Sequence, residues 1–214
     1  MIKLYDYELS GNCYKVRLLL AILSIPYERI ELDFYPGREH KSAWFLAINP
    51  LGQLPVIDDE GFILRDAQSI LIYLASQYDA AGAWCPRSDP ALLARISMWL
   101  GFAENLTVTA GAARLHDTMF YDGDVDALRI QANALFRVLD EHLWFAEAQG
   151  EPWLCGGHPT IADVACFPYV MLSEEGGIPR LPYPAIQRWT DRVKRIPGFT
   201  PMSGIFPAAD APAG

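Results

Sequence analysis

Residues 49 to 57 read Asn49-Pro50-Leu51-Gly52-Gln53-Leu54-Pro55-Val56-Ile57, and no other stretch restricts the fold as tightly. Pro50 and Gly52 break the chain, and a short apolar strand follows with Pro55 at its mouth. Proline cannot donate to a strand ladder, so it belongs at an edge, a strand start or a bulge. An X-Pro bond also permits a cis peptide, which would turn the backbone of Leu54 outward. Leu54 would then offer its N–H and C=O to something extended and peptide-like. A loop that displays backbone in this way suggests a binding site.

The formal charge of −9 over 214 residues argues against nucleic acid and anionic membrane as partners, because phosphate contacts need clustered Lys and Arg. The longest apolar run, Leu18 to Ile25, is interrupted by Ser24 and is too short to span a bilayer. The chain opens on Met1-Ile2-Lys3-Leu4-Tyr5, which reads as a strand and not as a signal peptide. Cys13, Cys85, Cys155 and Cys166 form no Cys-x-x-Cys pair and fit no zinc spacing, so no metal site is expected. Dispersed cysteines without a leader suit a reducing, cytoplasmic compartment. The Ala/Pro/Gly tail after Phe206 is the only segment with a disordered composition.

Periodicity sets the order of elements. Ile2 to Tyr7 alternates as a strand, Ser10-Gly11-Asn12 is a turn, and Cys13 to Leu23 has helical spacing ending before Pro26. Tyr27 to Asp33 alternates again, and Ser42 to Ile48 is a short helix. Leu54 to Asp58 and Phe62 to Leu64 form a hairpin around Asp59-Glu60-Gly61, and Asp66 to Tyr78 is helical. This gives β-α-β-α-β-β-α. Asp79 to Asp89 reads as a linker, so residues 1–79 and 90–206 are expected to form two domains. The second is all-helical. One helix runs from Asp89-Pro90, an N-cap with proline at the first helical position, to about His116. Others span about Asp124 to Ala148, Ile161 to Leu172 and Pro184 to Arg195, and Thr160 to Asp163 resembles a capping box.

That order, with proline at the mouth of the third strand and an all-helical second domain, resembles a cytosolic glutathione transferase. The resemblance covers nearly the whole chain. It implies an α/β thioredoxin-like N-terminal domain followed by an all-α C-terminal domain. Four motifs carry it: Ser10-Gly11-Asn12-Cys13 after the first strand, Asn49 to Pro55 as the cis-proline loop, Leu64-Arg65-Asp66-Ala67 before the third helix, and Thr160-Ile161-Ala162-Asp163. Ser10 with Asn12 resembles the theta/delta-like and nu-like bacterial pattern, whereas the Ser-Ser-Cys of the zeta subgroup is absent. Asp66 stands where Glu or Gln is more usual, and Ala67 where serine is usual, so one hydroxyl contact to glutathione should be missing.

The resemblance implies glutathione as co-substrate, an apolar electrophile as its partner, a homodimer, and detoxifying transfer as the activity. A thiol with a pKa near 8.5 is only a few per cent ionised at neutral pH, and a hydroxyl donor at a helix start favours the thiolate. Ser10 is placed for that role, although serine there also caps the helix. Asn12 has an amide N–H₂ that can reach the same sulfur. His40, Gln53, Leu54, Pro55, Asp66 and Ala67 are the expected glutathione contacts, His40 as a cation for its glycine carboxylate. Tyr7, Phe102, Leu106 and Arg114 are the expected acceptor-side residues. Cys13 is expected to point into the domain. His116, His142 and His158 make no triad, and Asp122 to Asp126 imitates a calcium loop without its glycine and terminal Glu. Two alternatives stay open: a glutathione-dependent disulfide reductase or peroxidase, and a non-catalytic binding module with the same fold.

Overall fold

The computed structural model describes residues 1–209; the last residues of the tail singled out above, 210–214, lie outside the described residues. Four strands, β1 (Ile2–Asp6), β2 (Tyr27–Glu31), β3 (Val56–Asp59) and β4 (Phe62–Arg65), form one sheet in the order β2-β1-β3-β4. β1 and β2 run parallel, and β1–β3 and β3–β4 are antiparallel. The parallel pair needs a crossover, which α1 (Gly11–Ile22) supplies. A short turn of 3₁₀-helix at Glu39–Lys41 leads into α2 (Ala43–Ile48), and α3 (Ala67–Tyr78) follows β4. This is the mixed-sheet N-terminal domain expected from the sequence. Element ends shift by one or two residues: α2 and α3 start one later because Ser42 and Asp66 are caps, α1 starts at Gly11 and so takes in two residues of the expected turn, and β3 and β4 each end one residue later.

The C-terminal domain is helical: α4 (Pro90–Leu106), α5 (Ala112–Met119), α6 (Val125–Ala148), α7 (Ile161–Met171) and α8 (Pro184–Lys194). The sequence predicts one helix from Pro90 to about His116. The structure instead divides it with a π-helical segment at Thr107–Gly111, which joins α4 to α5 without leaving helical backbone. Apolar periodicity does not reveal a wider turn, because it reports which residues face the core and not the hydrogen-bond spacing within a single turn. Among the described residues, no helix is long and apolar enough to cross a membrane.

Every residue of α7 is buried, and the helix packs against α4, α1 and α3. Its start is fixed by Asp163. Thr160 Oγ1 accepts from the Ala162 N–H at 3.3 Å, and Asp163 Oδ2 accepts from the Thr160 N–H at 2.9 Å, completing the capping box. Asp163 Oδ1 accepts from the Leu154 N–H at 3.1 Å and from Trp189 Nε1–H at 2.8 Å. One fully buried carboxylate thus ties α7 to the preceding loop and to α8. Asp163→Ala leaves three buried donors without an acceptor, each costing about 1–3 kcal/mol. The variant is expected to lose at least about 3 kcal/mol in chemical denaturation, and Asp163→Asn, which retains an acceptor oxygen, distinctly less.

Candidate functional site

A cleft of about 640 Å³ opens between the edge of the sheet domain and the helices. Its floor is the turn between β1 and α1. Ser10 is the N-cap of α1, and its Oγ accepts from the Cys13 N–H at 3.2 Å. That bond uses a lone pair and leaves the hydroxyl proton free to donate. The turn is held on both sides by arginine. Arg17 is paired with buried Asp6 and donates to the carbonyls of Tyr7 (3.3 Å) and Glu8 (2.8 Å). Arg114, from α5, donates to the Leu9 carbonyl at 2.7 Å. Three successive carbonyls ahead of Ser10 are therefore fixed.

One wall is the 49–55 loop. The Leu54–Pro55 peptide is cis. The β-ladders begin at Val56, so strand pairing uses neither the N–H nor the C=O of Leu54. Buried Asn49 staples the loop: its Nδ2 donates to the Gln53 carbonyl at 2.8 Å, and its Oδ1 accepts from the Leu51 N–H at 3.2 Å. Lys41 closes it from outside, donating to the carbonyls of Leu51 and Gly52, each at 3.0 Å. Next to this loop, Asp66 caps α3 by accepting from the Ser69 N–H at 2.8 Å. The N–H of Ala67, the first residue of α3, is one of those that helix bonding leaves unused, and Ala67 lines the cleft.

The opposite wall comes from Glu104, Thr107, Val108, Gly111 and Leu115, a helical stripe across α4, the π segment and α5. Tyr169 of α7 completes it. A Cβ at Gly11 or at Gly111 would come within 2.8 Å of the Tyr169 ring, so the absence of side chains there lets α1 and the π segment close on it. Burial pushes the Tyr169 phenol up. The Tyr7 phenol is likewise raised by burial, with Arg114 pulling against it.

Ser10, Asn12, His40, Gln53, Leu54, Pro55, Asp66, Ala67, Tyr7 and Arg114 all line this cleft, although they come from well-separated segments. Phe102 and Leu106 do not. The aromatic stripe they belong to is the core face of α4: Leu106 is fully buried, and Phe102 packs edge-on against Trp99 at 5.0 Å. The cleft face lies two residues out of phase and begins at the polar Glu104, which apolar periodicity gives no reason to select. His40 lines the cleft in surroundings that disfavour its cationic form. Its ring stacks on Phe34 at 3.9 Å, and burial together with Lys41 and Arg38 lowers its pKa. The charged neighbour there is Lys41. Cys13 is fully buried with its thiol pushed up to about 12 by burial, far from a reactive thiolate. Sequence reasoning missed Glu104, which accepts from Gln68 Nε2 at 3.0 Å, and also Thr107 and Tyr169. Their signal is tertiary. Among the described residues, no cluster of His, Cys, Asp or Glu is placed to hold a metal ion.

Comparisons with known proteins agree with this architecture. Residues 4–82 match the family model for the glutathione S-transferase N-terminal domain, and residues 122–192 that for its C-terminal domain. Glutathione S-transferase GstB of Escherichia coli K12 is 31% identical, over 92% of this chain and 95% of its own. A crystal structure of a glutathione S-transferase from Pseudomonas fluorescens superposes with a TM-score of 0.85 at 31% identity, covering 94% of this chain and 98% of the other. Disulfide-bond oxidoreductase YfcG of Escherichia coli K12 is 27% identical over 92% of each chain.

The loop wall depends on Asn49. Asn49→Ala removes three bonds at a buried position, to Gln53, Leu51 and Arg65, and is expected to cost about 1–3 kcal/mol in thermal or chemical unfolding. Amide exchange at Gln53 and Leu54 should speed up in the same variant, while exchange in α7 changes little.

Proposed function

The chain belongs to the glutathione S-transferase family, and from that premise we propose that it binds glutathione in this cleft, ionises its thiol and delivers the sulfur to an apolar electrophile. The observation that carries the reading is the meeting of Ser10, Asn12, the Leu54 backbone and the α3 N-terminus in one cleft. The Leu54 N–H and C=O pair with the cysteinyl unit as an added strand would. The γ-glutamyl carboxylate sits at the start of α3, on the Ala67 N–H, where helix ends favour anions. Asp66 and Glu104 supply carboxylates for the γ-glutamyl ammonium. Lys41 and Gln53 face the glycine end, with His40 as a hydrogen-bond partner.

The sulfur lies over the β1–α1 turn. The Ser10 hydroxyl, whose lone pair already takes the Cys13 N–H, has one proton left to give, and it gives it to the thiolate. Asn12 adds an amide donor. Both donors strengthen as the sulfur becomes charged, so they stabilise the reacting form more than the thiol. The acceptor occupies the side lined by Tyr7, Val108, Leu115, Met119 and Tyr121, with Arg114 at its edge, already paired with Glu175 at 2.5 Å. A cytoplasmic location fits a protein whose four cysteines are buried and free. We also place a two-fold homodimer contact on β4 and α3, where Phe62, Ile63 and Ile72 are exposed apolar residues; sedimentation at micromolar concentration tests it.

A second reading, glutathione-dependent disulfide reduction, is favoured by the likeness to YfcG and by an amide donor at Asn12. Parallel assays with a halonitrobenzene and with a disulfide substrate separate the two. Ser10→Ala should lower turnover roughly ten- to hundredfold with little change in glutathione affinity by calorimetry, since a bond to a charged group contributes about 1.5–3 kcal/mol. Cys13→Ala should leave turnover largely intact. Loss of all activity in Cys13→Ala with a silent Ser10→Ala overturns the assignment, and a protein that retains no glutathione overturns the enzyme reading.

A further inference from the structure

Directly below the cleft floor lies a charge that the mechanism above does not use. Lys15, in the second turn of α1, is fully buried. Its Nζ donates to Thr107 Oγ1 at 3.4 Å and stands 5.2 Å from the centre of the Tyr169 ring. Burying an ammonium with so few partners opposes folding. Burial pushes Lys15 down from its ordinary 10.5 to about 8, while Cys166, Glu104 and Asp66 hold it up. It therefore keeps its charge at neutral pH.

Thr107 Oγ1 lies 3.0 Å from the Ala103 carbonyl and 3.5 Å from Asn12 Oδ1. An ammonium only donates, so Thr107 accepts from Lys15 and turns its single proton toward one of those two oxygens. A threonine oxygen has a second lone pair and would equally accept Asn12 Nδ2–H, so this hydroxyl alone does not decide which way the Asn12 amide faces. The ammonium decides it through the hydroxyl: donating to Thr107 Oγ1 polarises the O–H into a better donor and a poorer acceptor, which favours the Asn12 carbonyl facing it over the N–H₂.

Resting on the glutathione reading above, we propose that Lys15 is a positioning residue that acts through Thr107 to hold the Asn12 carbonyl inward and so present the Asn12 N–H₂ to the sulfur in the cleft. Thr107 stands at the junction of α4 and the π segment, in keeping with the occurrence of such wide turns at functional sites. Lys15 never touches the substrate. It spends fold stability to fix one donor. The orientation is expected to hold below about pH 8 and to relax as Lys15 loses its proton above it.

The test is the pKa of glutathione bound to the full chain, followed by the ultraviolet absorbance of its thiolate, in Lys15→Met, Thr107→Val, Thr107→Ser, Asn12→Ala and the Lys15→Met/Asn12→Ala double variant. Methionine fills the same space without the charge, and its melting temperature should equal or exceed that of the parent. Lys15→Met, Thr107→Val and Asn12→Ala should each raise the bound thiol by about one unit, a tenfold smaller thiolate fraction. Thr107→Ser should restore the parent value, and the double variant should show no more than either single one. An unchanged thiol pKa in Lys15→Met, or a Lys15→Met shift that persists undiminished in the Asn12→Ala background, overturns the proposal; the latter would make Lys15 a direct electrostatic influence. If Lys15→Met fails to fold, Thr107→Val decides by the same criterion. A parent protein that binds glutathione with a lowered thiol pKa while both variants stay silent overturns only the relay. A parent that binds none overturns the function and the relay together.

Discussion

The site depends on how closely two helix backbones approach one aromatic ring. Tyr169 projects from α7, the most deeply buried helix of the chain, into a gap bounded by Gly11 on one side and Gly111 on the other. The first glycine begins α1 in the sheet domain. The second belongs to the π segment of the helical domain. One ring thereby sets the distance between the floor of the cleft and its far wall. Packing of this density tolerates little added volume. The Asp163 capping box fixes the axial position of the same helix, so the ring's height is set by hydrogen bonds at one end and its lateral fit by the two glycines.

Around that contact the cleft is built as a rigid receptor. Arg17 and Arg114 hold the three carbonyls before Ser10, Asn49 and Lys41 hold the loop before Pro55, and Asp66 holds the start of α3. The groups left free are those a peptide-like ligand with a reactive sulfur needs: the backbone of Leu54, helix-terminal N–H groups and the Ser10 hydroxyl. These segments are held by the protein's own hydrogen bonds, and preorganisation of that kind lowers the entropic cost of binding.

Much of this was legible in the sequence because its signals are local. Proline at a strand mouth, Ser10 at a helix start and the Thr160–Asp163 spacing each encode a backbone feature within a few residues. The helical wall was not legible in the same way. Phe102 and Leu106 were the natural choice for a cleft face because they are large and periodic, yet the same properties send them to the core. Glu104, Thr107 and Gly111, which do line the cleft, are polar or small, and their exposure follows from where α7 places Tyr169. Lys15 carries the least signal of all. A lysine in an amphipathic helix is ordinarily solvated, and only the packing of α7 and α3 against α1, with Thr107 reaching its ammonium, reveals that this one is enclosed. His40 was legible as a cleft residue, but the downward push on its pKa was not, because it comes from burial and from the neighbouring Lys41 and Arg38.

The π segment also bears on how such a cleft can diversify. A wide turn in the middle of a helix amounts to one residue more than the regular spiral accommodates, and each residue in an α-helix turns its successors by about 100°. Arg114, Leu115 and Met119 all follow the insertion. Their facing toward the cleft is thus a property of chain length at 107–111, independent of what they are. Loss of a single residue there would swing a different set of side chains toward the cleft and would also move Arg114 off the Leu9 carbonyl, so the floor ahead of Ser10 would have to adjust with the wall. In a chain of this architecture, insertion or deletion at 107–111 re-sorts a whole set of cleft-facing side chains at once, whereas a substitution on the floor changes one contact at a time.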